Sequence, residues 1–90
     1  MLIELNSPQV AEADLTCSAC PVQVEGTLID GRHFYFRYRF GYASLGIGPD
    51  ADAAVADRST GKEYGDALLG SLSDDETGRL FRELLKAHGR

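Results

Sequence analysis

The chain has no tryptophan, one methionine, three prolines and two cysteines in its 90 residues. Two cysteines three positions apart, Cys17 and Cys20, do not make the framework of a disulfide-stapled secreted domain, and a reducing, cytoplasmic setting is expected. No apolar run approaches the roughly 18 residues that cross a bilayer, so no membrane partner is expected. The opening Met-Leu-Ile-Glu-Leu-Asn has no basic stretch and meets an acid at Glu4, so a signal peptide is not expected either. Base is in deficit overall: nine Lys and Arg face fourteen Asp and Glu, for a formal charge of −5. That balance disfavours a nucleic-acid binder working by bulk charge.

Catalytic constellations are missing as well. Ser44 stands in Ala-Ser-Leu-Gly, which is not a nucleophile elbow, and no HExxH occurs. Ser59-Thr60-Gly61-Lys62 lacks the preceding glycine of a phosphate loop. The acids Asp50, Asp52 and Asp57 lack the glycine and glutamate positions that complete a calcium loop. His33 and His88 fall on different elements without an evident partner. A protein that is not an enzyme is expected.

What is present describes one small domain over residues 1–90. A chain of this size buries about 60–65% of the surface it exposes unfolded, enough for one thin core. Hydrophobic residues at 43% and charged residues at 26% suit a folded domain.

The strongest pattern runs from Pro21 to about Gly48. Val22, Val24, Gly26 and Leu28 share one strand face, and Phe34, Phe36 and Tyr38 share another. A two-residue Asp30-Gly31 turn would set the aromatics against Gln23 and Glu25. A three-residue Ile29-Asp30-Gly31 loop instead pairs 24 with 36 and 22 with 38, so every apolar side chain faces one way, with Gly31 left-handed. Pairing 39 with 42 around Phe40-Gly41 then sets Tyr38 beside Ala43, Phe36 beside Leu45 and Phe34 beside Ile47. Two turns agree on one apolar face, and an antiparallel meander is predicted.

The flanks are less regular. Leu2–Leu5 alternates like a short strand, with Leu2 or Ile3 setting the buried face. Ser7-Pro8 suits the cap of a short helix over Gln9–Leu15, although the same stretch also reads as extended. Residues 49–72 show no sustained period. Asp50–Ala56 suits a helical turn, Ser59-Thr60-Gly61-Lys62 reads as a turn, and Val55, Tyr64, Leu68 and Leu69 are the apolar residues available to pack the connection. Ser73-Asp74-Asp75-Glu76 is a capping box, followed by a Leu80, Phe81, Leu84 and Leu85 stripe and by Gly89 as a stop. The expected architecture is α+β: an antiparallel β-meander of three to four strands, packed on one face by a C-terminal amphipathic α-helix.

Two constellations carry candidate chemistry. Two thiolates in a Cys17-x-x-Cys20 pair suit one half of a zinc site or a labile disulfide. His33 is the only nearby third ligand, and it pairs near Thr27, about 20 Å along the strand from Cys20. An intramolecular zinc finger therefore fails, which leaves a zinc shared across a dimer, a labile disulfide, redox chemistry, or two half-buried packed thiols; no cofactor is the primary expectation.

The second constellation is the meander's outer face. His33, Tyr35, Arg37 and Arg39 alternate there, flanked by Gln23, Glu25 and Thr27 on one side and Tyr42, Ser44 and Gly46 on the other. From Gly31 to Gly48 the chain holds three arginines and no acid, a local +3 within a remainder of −8. Tyr and Arg are enriched where proteins meet proteins, so His33, Tyr35, Arg37, Arg39 and Tyr42 are the candidate contact residues for an acidic partner. A second copy of the chain is one such partner. Interleaved aromatics and guanidiniums also suit single-stranded nucleic acid. Arg32-His33-Phe34-Tyr35-Phe36-Arg37-Tyr38 nevertheless departs from the RNP1 stretch of RNA-recognition motifs, because His33 stands where that pattern has glycine. A solvated face, with Glu25 bridging Arg37 and Tyr35 lying over Gly26 and Gly46, is the alternative to any partner.

Overall fold

The computed structural model describes residues 1–19, 21–66 and 71–88. Five antiparallel strands lie in chain order in one sheet: β1 (Val10–Ser18), β2 (Val22–Leu28), β3 (His33–Arg39), β4 (Tyr42–Gly48) and β5 (Thr60–Glu63). Two helices join them, α1 (Ala51–Ala56) and α2 (Asp74–His88). The class is α+β, as the patterning requires, with five strands rather than three to four.

The central register is the one the apolar pattern selects. Val24 faces Phe36 and Val22 faces Tyr38; on the far side Tyr38 faces Ala43, Phe36 faces Leu45 and Phe34 faces Ile47. Gly31 takes φ +91° in the three-residue loop. The resulting apolar face is closed by α2, whose Leu80, Phe81 and Leu84 are buried; the Phe34 and Phe81 rings pack tilted with centroids 4.8 Å apart. The capping box is formed: Ser73 N–H donates to Glu76 Oε1 at 3.0 Å and Glu76 N–H to Ser73 Oγ at 3.1 Å. The Ser73 N–H, with help from the Tyr64 hydroxyl, holds Glu76 below the usual carboxylate range. The expected stop at Gly89, and Leu68 and Leu69, lie outside the described residues.

Three flanking expectations change. Of the two readings of Gln9–Leu15 the extended one holds and the helix is not formed: Val10–Leu15 belong to β1, which pairs with β2 through two bulges, one between Val10 and Glu12 and one between Leu15 and Cys17. Each bulge absorbs one residue; the first sets Ala13 and Leu15 on the apolar face, opposite Gly26 and Val24, and the second follows Leu15. The demand of β2 for a partner on its free edge overrides the local capping signal. Next, Leu2–Leu5 makes only a single bridge, Leu2 to Asp14, before the chain dives so that Leu5 is buried under α2. Arg82 Nη1 donates to the Leu5 carbonyl at 2.7 Å. Lastly, Thr60-Gly61-Lys62 is not a turn but most of β5, since it supplies the ladder that β4 lacks on its outer edge.

The packing of β5 runs through Tyr64. The buried Tyr38 hydroxyl donates to the Tyr64 carbonyl at 2.6 Å, while Tyr64 donates its own hydroxyl to Glu76 at 2.7 Å. Burial of Tyr38 pushes its phenol up from the ordinary value, so it stays a donor. Lys62 pairs with Glu83 at 2.7 Å and ties β5 to α2 a second time.

Candidate functional site: a basic groove on the outer sheet face

The outer face is not the open surface that alternation alone describes. Helix α1 packs on it. Asp50 caps this helix, accepting Ala53 N–H at 2.8 Å. Gly46 points outward, and a Cβ there would run into the Ala54 carbonyl, so the missing side chain is what lets α1 sit against β4. Ala54 is buried in that contact, whereas Val55, expected to pack the connection, points to solvent.

With α1 in place the face divides into two ends of opposite charge. At one end His33 lines a shallow groove with Glu12, Asp14, Glu25 and Ala51. At the other end a groove of about 480 Å³ is lined by Arg37, Arg39, Phe40, Tyr42, Ser44 and Arg58. Of the five candidate contact residues, the structure brings Arg37, Arg39 and Tyr42 together and leaves His33 at the acidic end. Tyr35 is half-buried between them, and its hydroxyl accepts from Gln23 Nε2 at 2.8 Å. The diagonal Glu25–Arg37 bridge of the solvated-face reading is not formed: Glu25 lines the acidic groove with Glu12 and Asp14, whereas Arg37 lines the basic one. Nor does Tyr35 lie over Gly26, which faces the core, where a Cβ would meet the Phe34 ring.

The basic groove has three further properties. None of its arginines forms an ion pair with a described residue. The Nε of Arg37 is buried without an acceptor among the described residues, an expensive arrangement for a charged donor. Its rim is aromatic: Phe40 is 69% and Tyr42 50% exposed. The Arg39 guanidinium lies 4.5 Å from the Phe40 centroid. The Tyr42 ring leans across Gly61 of β5, where any side chain would displace it.

Phe40 is also held in an unfavourable backbone state. It has φ +54° and Gly41 φ +72°, the pair of left-handed residues that a two-residue hairpin turn requires. Asn-Gly is the usual solution there, since a bulky side chain at a left-handed position costs about 1–2 kcal/mol. Alternation along the strands does not find Phe40, because a turn residue belongs to neither face. It does not find Arg58 either, which stands outside the meander and reaches Arg37 only through the α1–β5 connection.

The thiol constellation is reduced to one described member. Cys17 is half-buried on β1 with its Sγ 3.3 Å from the Ala19 carbonyl; Cys20 lies outside the described residues. Cys17 opposes Gln23 while His33 opposes Thr27, so the two candidate ligands stand four residues of β2 apart. Among the described residues no three His, Cys, Asp or Glu side chains gather as a metal site, and no helix is long and apolar enough to cross a membrane.

These features define a small α+β domain with a five-stranded meander and a charged, aromatic-rimmed groove on the face away from its main helix. No family model matches the chain, and neither does any curated protein or solved structure.

Proposed function

We propose that this is a non-catalytic interaction domain that works in the cytoplasm and binds an acidic surface of a protein partner through the Arg37, Arg39, Tyr42 end of its outer sheet face. The observation that carries the reading is the convergence of three arginines on one groove with no acid among its described lining residues. Unpaired guanidiniums beside exposed aromatic rings are what a partner's carboxylates and apolar flanks would cover. The strained, exposed Phe40 supports it, since a turn selected for stability alone favours another residue. A second copy of the chain presents a matching acidic end through Glu12 and Glu25. The test compares proteins captured by the wild type with those captured by R37E/R39E. Loss of a defined partner that the wild type retains supports the reading, and an identical set of partners ends it. A sedimentation run at low and high salt distinguishes self-association from binding to another chain.

A further inference from the structure

The number of arginines that line the basic groove, and the unpartnered Nε of Arg37 among them, say more about the ligand than net charge does. Arg37 stands between Gln23 on β2 and Ser44 on β4 in the register and lines the groove, and its Nε is buried with no acceptor among the described residues. A guanidinium donates through Nε and one Nη as a two-pronged fork matched to two oxygens of one anion. Arg39 and Arg58 line the same groove without carboxylate partners among the described residues, so the charge that gathers there is three positive. A single side-chain carboxylate brings one negative charge and two oxygens, and satisfies one fork. A phosphate monoester brings a charge near −2 and three strong acceptor oxygens, enough to engage more than one guanidinium together. The aromatic rim formed by Phe40 and Tyr42 then offers apolar surface to the residues on either side of the phosphorylated one.

From this geometry we infer that the groove takes a phosphorylated side chain of the partner, with Arg37 at its floor and Arg39 and Arg58 at its walls. This rests on the reading of the groove as the partner-binding surface, and narrows the partner to one that carries a phosphate. Arg58 becomes a binding residue, although it stands outside the cationic segment of the sequence.

The experiment titrates isotopically labelled full-length protein at fixed ionic strength, following amide and arginine Nε resonances. Four probes are used: the peptide acetyl-Ala-Ala-phosphoserine-Ala-Ala-amide, its glutamate counterpart, its unmodified serine counterpart, and inorganic phosphate. The expected result is that the phosphopeptide binds at least about tenfold more tightly than the glutamate peptide and shifts the Arg37 Nε resonance. R37Q and R58Q each lower that affinity by roughly tenfold, and R37K, which keeps the charge but loses the fork, does not restore it. The amide spectrum of each variant reports whether its fold is intact; should R37Q fail to fold, R58Q carries the same test. Equal binding of the phosphate and glutamate peptides overturns the inference and leaves the acidic-partner reading standing. Binding of inorganic phosphate as tightly as the phosphopeptide overturns the peptide source. If no probe binds, the inference falls, and capture by the wild type against R37E/R39E decides the reading beneath it.

Discussion

Asp57 Oδ2 lies 2.7 Å from His88 Nε2, and so joins the C-terminal end of α1 to the last residue of α2 from the opposite side of the sheet. The same oxygen accepts the Ile47 N–H at 3.0 Å, and Oδ1 accepts Ser59 N–H at 3.1 Å. One carboxylate thus does for β4 what β5 is too short to do, pairing a ladder donor beyond Leu45. The His88 ring, then the Ile47 N–H, hold Asp57 well below the usual carboxylate range. An ionised carboxylate offers no proton, so the His88 nitrogen is the donor.

Removing that anchor is expected to destabilise the fold in a pH-dependent way. Asp57→Asn should cost about 2 kcal/mol at pH 7 through loss of the charged acceptor. The folded pKa lies below the unfolded one, so the unfolded chain takes up the proton first. The Asp57 contribution is therefore complete above about pH 5 and is lost as pH falls. Urea unfolding at pH 7 and pH 3 checks this: the gap between wild type and variant should shrink at the lower pH. A gap that stays constant would mean the carboxylate is not the source.

Gly46→Val is expected to destabilise, although valine is a better strand former than glycine. The new side chain would meet the Ala54 carbonyl and lift α1 from β4, at a cost of about 1–3 kcal/mol. Chemical denaturation measures it. A neutral or stabilising result would show that α1 does not lie on this face.

Phe81→Ala should cost about 3–5 kcal/mol, since it empties the contact between α2 and Phe34 at the centre of the core. For a domain of this size that is a large share of the total stability. Circular dichroism during thermal unfolding reads the loss directly.

Phe40→Asn should separate stability from binding. Asparagine suits the left-handed backbone at this position, so the variant is expected to gain about 1 kcal/mol. It also removes an exposed ring from the rim of the groove, so affinity for a groove ligand should fall while the melting temperature rises. A change in which both rise, or both fall, would contradict the assignment of Phe40 to the binding surface.

The centre of the fold is legible in the amino-acid pattern alone. The meander register follows from Phe34, Phe36 and Tyr38, because a one-residue slip would place all three in water. Helix α2 follows from its cap and apolar stripe. Those signals are local, and side-chain period alone interprets them. Less legible are Val10–Leu15, which also suits a helix, and Thr60–Lys62, which reads as a turn; both carry weak propensities and become strands because the edges of β2 and β4 need partners.

The candidate site divides in the same way. Arg37, Arg39 and Tyr42 fall on one face by alternation within β3 and across the Phe40-Gly41 turn. Alternation does not reveal that Glu25 lies away from Arg37, that His33 belongs to an acidic end, or that Arg58 joins the basic one. Those facts depend on where α1 packs. The amino-acid pattern is enough to specify an apolar face and the helix that covers it, since hydrophobic periodicity chooses its own partner. That α1 splits the other face over Gly46 emerges from the packing, since a short helix of small residues carries no periodic signal and is held there by a close backbone approach.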